Sequence, residues 1–390
     1  MGHNTNPLRS ATTLPVNSPE RSFILELAIS LQRAGLPAHR LESRVWEVAQ
    51  ALNEAVAVFA APTSVAIDFG DHTRTLAVVN GDEDLARMVE VDAIAEAVTE
   101  GRLTAHSALE ALAAARQREP QWSAPAVMAA FAVTSGAGAV LFGGGLDEVL
   151  VSALTGLAIS LLSRMGPLFP VLASFTAALV GSLLPVSMEV VVLSSCIVLL
   201  PGLTLTTGLT ELANGHLVAG SARLARALTV LLQLGVGAAL ALALAPSVEV
   251  SPLALPIWSR QAAIVVGAAS FVVLLQARRK DLLVILIASE AAVLGWEAGE
   301  LLPPLGPALL GALAVGLVAN LQARLRGVPS AVAMVPGLLL LVPGSVGFRA
   351  VEAFSSSDAL TGMNAAFSCV QTAAALVSGL LLANALVKAR

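Results

Sequence analysis

Leu200-Pro201-Gly202-Leu203 interrupts one apolar stretch, and Val335-Pro336-Gly337-Leu338 interrupts another farther along the chain. The offset, 336 minus 201, is 135, and it also carries Ala177-x3-Gly181 onto Ala312-x3-Gly316 and Ser135 onto Ser270. The pattern predicts two copies of one unit, each holding a broken helix. Proline removes a helix donor and collides with the preceding turn. At membrane depth the freed backbone groups are tolerated only inside protein or beside a cavity. Paired interruptions at matching places in two repeats therefore point to the binding site of a secondary transporter.

Composition sets the class. Of 390 residues 56% are hydrophobic and 13% charged, with a mean hydropathy of +0.81, which places the chain among integral membrane proteins. The first 123 residues hold 10 of the 22 Lys and Arg and 16 of the 27 Asp and Glu. An acidic soluble domain is thus expected ahead of a membrane domain, with no basic patch for nucleic acid. Residues 1–17 are polar, carry Pro7 and Pro15, and lack the apolar core of a signal peptide; they are read as a disordered leader. Cys196 and Cys369 fall in apolar stretches and behave as small hydrophobes. No cofactor is implied.

Residues 18–119 read as a small cytoplasmic α+β domain. Ser18-Pro19 is a helix start, and Phe23, Leu27 and Leu31 recur at helical spacing as far as Gly35-Leu36-Pro37. A second helix carries Leu41, Val45 and Val48; then the period drops to two, and 56–59, 65–69 and 73–79 read as strands. Helices over about 82–100 and 104–119 complete the domain. Asp68-Phe69-Gly70 matches the kinase magnesium motif as a string, but without a phosphate loop it reads as a turn. His39 and Glu42, one helical turn apart, read as a satisfied polar face rather than a metal site.

Ten apolar spans are placed at 124–143, 148–163, 168–185, 187–207, 224–245, 261–277, 281–298, 305–322, 328–346 and 363–387. They divide as a first repeat in 120–250 and a second in 251–390. With the N-terminal domain inside, inner loops and tail carry ten cations, from Arg164 to Arg390, against Arg260 and Arg349 outside, the asymmetry expected of cytoplasmic termini. An odd number of spans per repeat inverts the second copy. The fold class is therefore a membrane all-α bundle of about ten helices in two inverted five-helix repeats, behind a small α+β domain.

Candidate substrate ligands cluster at the interruptions. After Pro201 and Gly202 come Thr204, Thr206, Thr207, Glu211 and Asn214, hydroxyls, a carboxylate and an amide suited to a small zwitterion, with a half-helix N-terminus for its carboxylate; the alternative is a polar helix end. Pro336-Gly337 is followed by Pro343-Gly344, so the ninth span is interrupted twice, and Arg349 is either a carboxylate partner or an interfacial anchor. Glu290, about midway through the seventh span, and Glu211 are the candidates for proton coupling, because an intramembrane carboxylate is costly unless it is neutralised or paired. Each has a structural alternative, Glu290 paired with a facing amide or hydroxyl and Glu211 solvated. No catalytic constellation is found, so no enzyme is expected.

Phe23-x-Leu25 to Gly35, His39-Arg40-Leu41-Glu42, Leu200-Pro201-Gly202 with its Thr-rich continuation to Gly220-x2-Arg223, and Val335-Pro336-Gly337 with Val342-Pro343-Gly344-Ser345 resemble the threonine/serine exporter family. The resemblance runs from about residue 20 onward. It implies a bacterial inner-membrane exporter of small hydroxy amino acids, driven by protons, with a cytoplasmic N-terminal domain and ten spans, in a family whose two halves some members carry as separate proteins. Its rivals are a membrane-anchored enzyme and a sensor or scaffold.

Overall fold

The computed structural model describes residues 18–78, 83–245, 250–341, 343–355 and 358–388. The leader at 1–17, Val79, Asp82 and Arg390 lie outside the described residues.

The first seven elements are α1 (Pro19–Arg33), α2 (Ala38–Ala51), β1 (Ala57–Ala61), β2 (Ser64–Asp68), β3 (Thr73–Ala77), α3 (Leu85–Thr99) and α4 (Ala105–Gln117). Ser18 caps α1 by accepting from the Arg21 N–H at 3.2 Å, with Pro19 in the first turn, where its missing donor costs nothing. The strands form an antiparallel sheet in the order β1-β2-β3, Val58 opposite Ile67 and Val65 opposite Leu76. Phe23, Leu27, Leu31, Leu41, Ile67 and Leu112 share one buried cluster, so helices and sheet close on a common core. Asp68-Phe69-Gly70 is a turn: Gly70 sits at φ 86°, and its N–H donates to Asp68 Oδ1 at 3.1 Å.

Twelve α-helices follow among the described residues: α5 (Ala124–Leu141), α6 (Leu146–Leu162), α7 (Phe169–Leu183), α8 (Met188–Ser195), α9 (Gly202–Ala213), α10 (Leu217–Leu244), α11 (Trp258–Leu274), α12 (Leu282–Gly299), α13 (Gly306–Arg326), α14 (Ala331–Leu340), α15 (Pro343–Ser355) and α16 (Ala359–Leu386). Among the described residues, seven helical segments are long and apolar enough to cross a bilayer. One of them, Leu146–Leu183, contains both α6 and α7 with a left-handed Gly166 (φ 56°) between them, while α11 is apolar but shorter. Leu228, Leu232, Val236, Leu240 and Leu244 stand exposed along α10 at a spacing of four. A continuous apolar stripe turned outward is what lipid contact selects and water penalises.

Small residues set the helix spacing. A methyl group added at Gly237 would overlap Ser174 Oγ and Val171 O, and one at Gly379 would overlap Leu309 O. α7 on α10 and α13 on α16 are thus packed backbone to backbone, as dispersion-driven association in lipid favours.

One sequence expectation is corrected. Pro336 does not break a helix: α14 runs through it from Ala331 to Leu340, and the interruption comes between α14 and α15. An internal proline forfeits one helix hydrogen bond, and here Pro336 and Gly337 are buried between neighbours, an added Gly337 Cβ lying 2.8 Å from Val315 Cγ1 and 3.3 Å from Ala288 O. The first interruption is real. Cys196–Pro201 is non-helical between α8 and α9, and the Gly202 N–H donates to Leu200 O at 2.8 Å across Pro201.

The N-terminal elements are seated on one end of the helix bundle. The Leu85 N–H donates to Leu275 O at 3.0 Å and Trp122 Nε1 to Ala277 O at 2.9 Å, with the Arg279 guanidinium 5.0 Å from the Trp122 ring centre. Leu85 and Met88 share an apolar cluster with Phe271 and Leu275, and Val89 shares another with Val284 and Val332.

Candidate functional site

Two interrupted segments of the helix bundle pack against one another. α9 packs on α14, α15 and α16, and α15 packs on α10. Leu200, just before Pro201, shares a buried cluster with Phe348 of α15, whereas Leu203, soon after it, packs on the cluster that holds Leu338 of α14 and Leu341, the residue that caps it. Each interruption is therefore lined by the other's helices. Gly202 begins α9 and Pro343 begins α15, so both interruptions present a helix N-terminus, whose first N–H groups have no intrahelical acceptor and carry partial positive charge.

The polar residues of α9 are mostly engaged by their own helix. Thr206 Oγ1 donates to Gly202 O at 3.0 Å, Thr210 Oγ1 to Thr206 O at 2.8 Å, and Asn214 Nδ2 to Thr210 O at 2.7 Å. Each i−4 bond occupies one donor of its hydroxyl or amide, while the oxygen can still accept. Thr204 and Thr207 are half-buried, Pro201 and Gly202 buried, and Asn214 exposed at the C-terminal cap. Gly344 is buried near the start of α15.

Glu211 is neither solvated nor open to the centre of the bundle. Its side chain is fully buried, accepting from the Ala38 N–H at 2.9 Å and from Arg223 Nε at 2.9 Å. Ala38 is the first residue of α2, so the carboxylate caps a helix of the N-terminal unit from within the membrane unit. Beside it Glu42 Oε2 lies 2.8 Å from His216 Nε2, while Glu42 Oε1 accepts from the Ala60 N–H at 2.8 Å. The His39 ring stands 6.0 Å from that of His216, and burial, reinforced by Arg40, pushes His39 down to about 4. Glu42 is thus engaged at both oxygens, whereas His39 Nδ1 and His216 Nδ1 are buried without a hydrogen-bond partner among the described residues, so the polar face expected here is satisfied only in part; no metal-ligating cluster occurs among the described residues.

The remaining candidates stand apart. Glu290, near the middle of α12, accepts from Gln261 Nε2 of α11 at 2.6 Å, which is the amide pairing weighed as its structural alternative. Arg349 of α15 pairs with Glu189 of α8 at 3.0 Å, both about half exposed.

Sequence reading missed a second polar region. A cavity of about 730 Å³ lies between α2 and α3 on one side and the ends of α9, α13, α14 and α16 on the other. Arg40 and Arg44 on α2, and Asp92 and Glu96 on α3, each pair one helical turn apart, project toward it. That i,i+4 spacing was the one signal in the sequence. Asn320, fully buried in α13, donates to Asn384 Oδ1 and Val387 O, both at 2.8 Å, and so ties α13 to α16.

Residues 22–245 match the family described as "Putative threonine/serine exporter", and residues 261–386 match "Threonine/Serine exporter, ThrE". The chain is 28% identical to the "Threonine/serine exporter" of Corynebacterium glutamicum over 77% of its own length and 67% of the relative's. It is 28% identical to the "Probable threonine/serine exporter" of Mycobacterium tuberculosis over 77% and 62%, and 26% identical to "Pheromone-regulated membrane protein 10" of Eremothecium gossypii over 92% and 53%. The chain thus spans from about half to two thirds of the length of these curated relatives. No solved structure matches it.

Proposed function

Because the chain belongs to the threonine/serine exporter family, we propose that it exports small hydroxy amino acids across a bacterial inner membrane, driven by the proton gradient, with both termini cytoplasmic. The observation that carries this reading is the interlock of the two interrupted segments. Two helix N-termini at packed interruptions suit a substrate carboxylate, while the carbonyls released at each interruption suit an ammonium.

We read the membrane unit as ten crossings in two inverted five-span repeats, α8–α9 and α14–α15 each forming one interrupted crossing. In support, α10 and α16 both have 28 residues, and 359 minus 217 is 142. That offset pairs Pro201 with Pro343, not Pro336, and Gly237 with Gly379. The earlier offset of 135 applies only as far as α13, which is longer than its counterpart α7, 21 residues against 15. Packing repeats as well: α7 on α10 answers α13 on α16, and α10 on α15 answers α16 on α9. In this reading Pro201, Gly202, Thr204, Thr207, Pro343 and Gly344 line the transport site, and Glu290 is the better placed proton carrier, since Glu211 is committed to α2.

Purified protein in liposomes loaded with threonine tests the proposal. Efflux should accelerate when a proton gradient opposing it in charge movement is imposed, and Gly202→Val should abolish it without preventing insertion. Threonine and serine fluxes equal to those of empty liposomes, with or without the gradient, refute it.

A further inference from the structure

The cavity between α2, α3 and the helix ends has the volume and the chemistry of a small-molecule site. About 730 Å³ falls within the range of roughly 300–1,000 Å³ typical of ligand pockets. Its charged lining is of both signs, Arg40, Arg44 and Lys388 against acidic residues that include Asp92 and Glu96, with His39 neutral at physiological pH. A lining so balanced suits neither a polyanion nor a polycation.

Arg40 is the anchor. Its Nη1 donates to Ser330 Oγ at 2.7 Å, and Ser330, immediately before α14, is buried. Among the described residues no carboxylate is hydrogen-bonded to Arg40, in contrast to Arg44, whose Nε meets Asp92 Oδ1 at 2.8 Å and whose Nη1 meets Glu47 at 3.1 Å. Burial pushes the Arg40 guanidinium below its ordinary value, the charge of Asp92 acting in the opposite direction. A guanidinium desolvated without a bidentate partner is a receptor for a carboxylate, the pairing its planar fork matches best. On α3, Asp92, already beside Arg44, and Glu96 give this wall the negative charge that an ammonium would face. The polar lining also continues inward, because Asn384 at the cavity wall accepts from the fully buried Asn320, whose Oδ1 has no partner among the described residues.

We propose that this cavity is a capture site for a free amino acid, its carboxylate docking on Arg40 and its ammonium facing Asp92 and Glu96, before passage into the helix bundle. The proposal rests on the export reading above and adds to it a second site, outside the interlocked segments. The α2 and α3 wall then acts as a selective entrance, accepting a ligand that carries both charges close together. It favours such a ligand, since a carboxylate alone forgoes the acidic wall and an amine alone leaves the buried Arg40 guanidinium without a counter-charge.

Full-length protein in liposomes, with threonine supplied on the face that carries the N-terminal unit, tests this by separating half-saturation from maximal rate. Arg40→Gln is expected to raise the half-saturating threonine concentration at least tenfold while the maximal rate stays within about twofold. Ser43→Trp, which narrows the cavity without touching the Arg40–Ser330 bond, should act in the same direction and guards against misfolding of the first variant. Serine should compete with threonine, whereas propionate and propylamine, each carrying one of the two charges, should not. Unchanged half-saturation in both variants, or competition by propionate equal to that by serine, overturns the capture site while leaving export intact. Absence of threonine transport by the unmodified protein overturns the export reading instead.

Discussion

Glu211→Ala should be among the most destabilising single changes outside the apolar clusters. The carboxylate is fully buried and makes two 2.9 Å contacts, with Arg223 Nε and the Ala38 N–H. Removing one partner of a buried pair costs about 3–5 kcal/mol. The Arg223 side chain is 20% exposed and regains some water, so the lower bound, about 3 kcal/mol, applies to the pair. The orphaned Ala38 N–H adds about 1 kcal/mol, the lower end of the penalty for an unsatisfied donor, for a total of about 4 kcal/mol. In Glu211→Ala/Arg223→Met the stranded charge is gone and only the N–H and the vacated volume remain, about 1–2 kcal/mol. On the purified full chain, unfolded in mixed micelles of increasing denaturing detergent, the double variant should therefore be about 2–3 kcal/mol more stable than Glu211→Ala alone. A loss below about 1 kcal/mol for the single variant, or a double variant no more stable than it, would refute a buried latch between α2 and α9.

His39 predicts a pH dependence with a definite sign. Its folded value of about 4 lies below the ordinary 6.5, so the unfolded chain binds the extra proton; the contribution is complete above about pH 6.5 and is lost as pH falls toward 4, to a limit of roughly 3 kcal/mol. His39→Gln should flatten that part of the acid limb, followed by thermal unfolding between pH 4 and 7. Gly237→Leu or Gly379→Leu forces a side chain into Ser174 or Leu309, beyond the usual 1–3 kcal/mol of overpacking, and should abolish the monodisperse fraction in size-exclusion chromatography, whereas Arg349→Gln, which loses a half-exposed pair, should cost about 0–1 kcal/mol. Glu290→Gln should retain threonine exchange but lose gradient-driven export; normal export by this variant would leave the proton without its proposed carrier.

Local chemistry was legible where the determinants are local. The change of period from helix to strand after Leu52 announces the sheet, Ser18-Pro19 announces α1, and Pro201 announces a real interruption because it stands at the start of α9. Pro336 misled because a proline six residues into α14 sacrifices one bond and is then held by α12 and α13, packing that no local pattern reveals. Glu211 with Ala38, and Arg40 with Ser330, are pairs 173 and 290 positions apart. Their meaning depends on how the N-terminal unit is seated, which is a property of surfaces and not of spacing. Within the Thr-rich run after Pro201, the hydroxyls of Thr206 and Thr210 find acceptors one turn back in their own helix, a use that residue type alone does not announce.

The reciprocal seating of α9 against α14, α15 and α16, and of α15 against α10, makes each half of the membrane unit the missing wall of the other. Covalent continuity between α10 and α11 then contributes little beyond proximity. Cleavage there should leave two fragments that copurify, while either one synthesised alone would expose its interrupted segment to lipid and be cleared by membrane proteases. The abundance of the working molecule would follow the scarcer fragment, so that balanced synthesis could stand in for a peptide bond.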